Sequence, residues 1–98
     1  MESTEIFCLH PALIQNTPAE TLVILSGDED KHVRRSVAFN RNTPVEILVV
    51  LSQDEEWEVR CGVAENSNTP VATLVVLGQD ENKFVREYAL QSISTNKH

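Results

Sequence analysis

The side chains able to do chemistry in this chain are mostly acidic. Carboxylates gather at Asp28-Glu29-Asp30, Asp54-Glu55-Glu56 and Asp80-Glu81. Paired carboxylates can act as general acid and base. Each group, however, falls where a helix is predicted to start, and a helix N-terminus favours negative charge without any reaction. The histidines are His10, His32 and His98; only Cys8 with His10 stands at ligand-like spacing, and two donors fall short of a metal site. Two cysteines, Cys8 and Cys61, do not make a disulfide scaffold. They read as buried free thiols in a reducing cytoplasm, with one bridge between them left open. No Gly-rich phosphate loop and no nucleophile motif occurs. The expectation is a non-catalytic protein with no metal and no cofactor.

Three arginines, Arg34, Arg60 and Arg86, could form a basic stripe for phosphates or acidic partners. Their spacing gives a second reading. Each lies six residues after an aspartate, in the pairs Asp28/Arg34, Asp54/Arg60 and Asp80/Arg86. The ladder is therefore read as structural, each Arg pairing with its own Asp or with that of a neighbouring repeat. The net charge of −7 agrees, because nucleic acids and anionic membranes select positive fields. The longest apolar run, Ile47 to Leu51, is far short of the roughly 20 residues a membrane span needs. Met1 to Glu5 has no basic leader segment. A soluble, cytoplasmic protein is expected.

The elements that position these residues come in a 26-residue period. Pro18, Pro44 and Pro70 each follow Asn-Thr, as Asn16-Thr17-Pro18, Asn42-Thr43-Pro44 and Asn68-Thr69-Pro70. Leu22, Leu48 and Leu74 then align, as do Leu25, Leu51 and Leu77, and Val33, Val59 and Val85. A fixed period of this length marks stacked repeats, each one a supersecondary unit. Every copy reads as two short helices. Thr17-Pro18-Ala19-Glu20 and Thr43-Pro44-Val45-Glu46 predict capping boxes at the first helix. Gly27 and Gly78 predict left-handed helix ends. The aligned aspartates predict N-caps for the second helix, with Asn40 and Asn66 at its end. Asn16, Asn42 and Asn68 are read as turn-formers. Neither helix is long enough to stand alone, so stacking must supply the buried surface.

The pattern Asn-Thr-Pro, Leu-x-x-Leu, Asp, Val-Arg-x-x-Val-Ala-x-Asn resembles the leucine-rich repeat variant family over residues 16 to about 93. The resemblance implies an all-α, right-handed superhelical solenoid of α and 3₁₀ helices without strands. On this reading, 1–15 is an N-terminal half-repeat or cap, with Phe7 and Leu13 covering the open end. Repeats follow at 16–41, 42–67 and 68–93, and 94–98 is a tail. Some members of the family hold an iron–sulfur centre on an N-terminal cysteine cluster. Four thiolates are the usual requirement, and Cys8 stands alone in that segment, so no such cofactor is expected.

Partner contacts are expected where the copies differ. Lys31, Trp57 and Lys83 correspond, as do His32, Glu58 and Phe84, then Arg35, Cys61 and Glu87, then Ser36, Gly62 and Tyr88, then Phe39, Glu65 and Gln91. Two copies carry Lys where the middle one has Trp57, which predicts an exposed Trp and a binding hot spot. Phe39, Lys31, Arg35 and Phe84 join it as candidate contacts. Phe84 and Tyr88 also read as closing the C-terminal end. The expected function is a protein–protein interaction scaffold. The alternatives are self-assembly through open ends and, disfavoured by charge, nucleic-acid binding.

Overall fold

Proline sets where the first helix of each repeat begins. The computed structural model describes residues 18–95, which form six α-helices and, among the described residues, no strand. They are α1 (Ala19–Leu25), α2 (Lys31–Phe39), α3 (Val45–Leu51), α4 (Trp57–Glu65), α5 (Val71–Leu77) and α6 (Lys83–Thr95). Both helices of every pair are α-helical; the 3₁₀ helices that the resemblance implies do not occur among the described residues. Pro18, Pro44 and Pro70 occupy the N-cap in an extended conformation, where their missing N–H costs nothing.

The expected capping boxes do not form. No side chain caps α1, α3 or α5. The Thr43 and Thr69 hydroxyls turn back and donate to the Val37 and Val63 carbonyls, at 2.5 and 2.7 Å. Proline at the N-cap starts the helix one residue later than a capping box requires. The threonine is then buried against the preceding helix, whose last carbonyls need donors. Thr17 lies outside the described residues. The glycines also differ from expectation. The C-caps Ser26, Ser52 and Gly78 are right-handed, and no described residue has positive φ.

The second helices each start three residues after the aligned aspartate. Asp30 caps α2 by accepting the His32 N–H, Glu56 precedes α4 with no side-chain cap, and Asn82 accepts the Phe84 N–H at the start of α6. Asp28, Asp54 and Asp80 instead take the N–H two residues on and shape the turn. Asn40 and Asn66 do close α2 and α4. Asn66 is 3% exposed, and its amide donates to the carbonyls of Ala38 and Asn40 in the preceding repeat. Ser92 stands at the equivalent position of the third copy and donates to the Ala64 carbonyl. It does not stop the helix, and α6 runs on to Thr95.

One apolar cluster runs through all of these elements, from Leu22, Leu48 and Leu74 to Val37, Val63 and Ala89. The second helices form a row in which α2 packs on α4 and α4 on α6, while α5 packs against α6. No described helix is long and apolar enough to cross a membrane. The expected N-terminal cap, with Phe7, Cys8, His10 and Leu13, lies outside the described residues, as does His98.

Candidate functional site

Val33 and Val37 of α2 are buried in the core. Arg35 follows Val33 by two positions, about 200° round the helix, and so points away from the first helices. The same geometry on α4 and α6 makes an open groove of about 290 Å³ lined by His32, Arg35, Trp57, Glu58, Cys61, Glu65, Phe84 and Tyr88. Every lining residue occupies a position at which the three copies differ. The groove thus gathers side chains from all three second helices.

Trp57 is 39% exposed, and its ring stacks on Phe84 at 5.7 Å between centroids with 29° between planes. The Lys83 ammonium lies 5.8 Å from the Phe84 ring centroid. Phe39 is 52% exposed and lines a smaller adjoining depression with Arg41, Glu65, Asn66 and Ser67. Glu65 borders both hollows. Lys31 is not in the groove wall. Its ammonium bridges to Glu58 at 3.1 Å and Glu56 at 3.7 Å, tying α2 to the next repeat. Of the five residues expected from sequence to meet a partner, Trp57, Phe84 and Arg35 line one groove, Phe39 flanks it and Lys31 braces its side.

The electrostatics of the groove are mixed. Glu58 is held below the ordinary carboxylate range by its own backbone N–H and then by Lys31. Its second oxygen, Oε1, is buried without a hydrogen-bond partner. Burial raises the Glu65 pKa, against the pull of Arg35. Burial also pushes the Cys61 thiol up to about 11, so that it is a poor nucleophile at neutral pH. No group of three or more His, Cys, Asp or Glu among the described residues is arranged to hold a metal.

The arginine ladder is engaged within the chain. Arg34 meets the Asp54 carboxylate with two nitrogens, at 2.8 and 3.1 Å, and gives Nη1 to the Asp28 and Glu29 carbonyls. Arg60 repeats this with Asp80 and the Asp54 carbonyl. Arg86 donates to the Asp80 and Glu81 carbonyls. For Arg34 and Arg60 the carboxylate comes from the following repeat, while the Asp six residues earlier offers each arginine only its backbone carbonyl.

Sequence reasoning did not name Glu58, Cys61, Glu65, Tyr88 or His32 as partner contacts, although comparison of the copies placed all of them at differing positions. The missing step was helical phase. Among those positions, only the ones turned away from Val33 and Val37 or their equivalents reach the groove. No curated protein and no solved structure matches the chain. The family model of the leucine rich repeat variant matches residues 57–82. That segment runs from the first residue of α4 to the residue before α6, one full period. Over that segment the chain is similar to the leucine rich repeat variant, a family of helical repeats.

Proposed function

We propose that the chain is a non-catalytic protein-interaction scaffold, a short right-handed solenoid of three repeats at 16–41, 42–67 and 68–93. Its groove across α2, α4 and α6 takes a segment of a partner protein. The observation that carries this reading is the part-exposed Trp57–Phe84 stack in the groove wall. An aromatic wall of this kind suits a peptide that inserts an apolar side chain. Glu58, Glu65 and the net charge of −7 favour a partner that is basic around its apolar anchor. Arg35 and Phe39 extend the contact on the N-terminal side.

The test is affinity capture with the wild-type chain and with Trp57→Ala, followed by titration of the captured partner. A loss of at least tenfold in affinity for Trp57→Ala, with helicity retained, supports the groove. Equal binding by both forms would place the contact elsewhere.

A further inference from the structure

The first helices carry a surface that the groove does not use. Their sequences are AETLVIL, VEILVVL and VATLVVL. Leu22, Leu48 and Leu74 are fully buried, yet the two residues after each are exposed aliphatics in every copy. Exposures are 44% and 75% for Val23 and Ile24, 42% and 63% for Val49 and Val50, and 48% and 65% for Val75 and Val76. Val45 and Val71 continue the surface at the starts of α3 and α5, at 45% and 54%. The face lies opposite the groove, because Leu22 and its equivalents point at the second helices and the exposed residues point away.

Exposed β-branched residues stiffen a helix without favouring it. Local propensity therefore gives no reason for valine at these sites in three copies. The exposed area of these residues sums to roughly 700 Å² over the three helices, near the ~800 Å² per partner of a standard protein interface. The occupant is constrained by charge and by period. The only charges on the three helices are Glu20 and Glu46, and neither is basic, which disfavours an anionic membrane. Three helices presenting the same ridge at one spacing are matched in pitch by the same three helices of another molecule.

We infer that this aliphatic face pairs two copies of the chain back to back. The contact is isologous, the same face on both subunits. It leaves both grooves open on the outer sides of the dimer, so one assembly can hold two partner segments and gain avidity. This pairing does not depend on what the groove binds.

Sedimentation equilibrium of the full chain, from about 1 to 300 µM, reads the prediction directly. The wild type passes from its 11.0 kDa monomer mass to twice that value with rising concentration. Added salt strengthens the association, since it screens repulsion between two acidic copies and leaves apolar contact intact. Val50→Glu, placing one acid from each copy in the contact, weakens dimerisation at least tenfold. Trp57→Ala leaves it unchanged. Should Val50→Glu lose its helical circular dichroism, Val76→Lys takes its place. A monomer throughout the range overturns the proposal, as does a dimer that neither Val50→Glu nor Val76→Lys weakens. Recovery of the wild type on pelleted phosphatidylcholine vesicles, abolished by Val50→Glu, would assign the face to a lipid surface and equally overturn it.

Discussion

Arg60 ties three parts of the chain together with one side chain. It holds both oxygens of Asp80 and the backbone carbonyl of Asp54, at 11% exposure for each charged group of the ion pair. An arginine so placed is a connector between repeats and has little left to offer a phosphate. Truncating it strands the Asp80 carboxylate in a poorly solvated position. Arg60→Met is expected to destabilise the fold by about 3 kcal/mol, and Arg60→Met with Asp80→Asn by less than the two single changes added together. Urea unfolding of the four proteins measures this, and strict additivity would show that the pair is not coupled. The residues of the ladder were legible in the sequence as equal intervals. The donor of each carboxylate was not, because a spacing of six to one Asp and twenty to the next allows both. Only the stacking of α2 on α4 brings Asp54 to Arg34.

At the scale of helices, the sequence reading succeeded with periodicity and failed with caps. The buried Leu22 and Val37 and their repeats follow from the apolar period, as do Ala38 and Ala64, whereas the third equivalent, Leu90, is 55% exposed. The boundaries did not, because Thr43 and Asp54 each have a competing use: the hydroxyl serves the preceding helix, and the carboxylate serves a turn and a neighbouring arginine. The division between repeated and differing positions also needs refinement. Val50 is aliphatic in its equivalents and exposed, whereas Gly62 differs from Ser36 and Tyr88 and is buried. Helical phase decides exposure; repetition does not. Gly62 marks the closest approach of α2 and α4. A Cβ there would lie 2.9 Å from Ala38 Cβ and 3.1 Å from the Arg35 carbonyl oxygen. Alanine is better than glycine in a helix by about 1 kcal/mol, but overpacking two backbones costs about 1–3 kcal/mol. Gly62→Ala should therefore lower the melting temperature. Gly27→Ala, whose Cβ would meet only the Ile24 carbonyl oxygen at 3.8 Å, should leave it nearly unchanged. If Gly62→Ala proves the more stable of the two, α2 and α4 can separate more easily than this packing allows.

Across the whole molecule, no helix pair owns its core. The buried cluster is continuous from Leu22 to Ala89, and helices of seven and nine residues are too short to persist in water alone. Losing one pair exposes the apolar face of the next, so the repeats should unfold together. Cys61 offers a probe of this. It sits in α4 at 5% exposure with its thiol pushed up to about 11, so its alkylation is slow in the folded chain and accelerates when the row of second helices opens. In a Cys8→Ser background, alkylation of Cys61 and loss of helical circular dichroism should share one urea midpoint. Leu48→Ala removes a fully buried side chain from α3, a different helix, and is expected to cost about 3 kcal/mol. A domain of this size has a total stability of only about 5–15 kcal/mol, so that loss must move both midpoints down together by a large margin. If helicity falls while Cys61 stays protected, the repeats melt one at a time. The groove, which needs α2, α4 and α6 in register, would then fray from its ends before the core is lost.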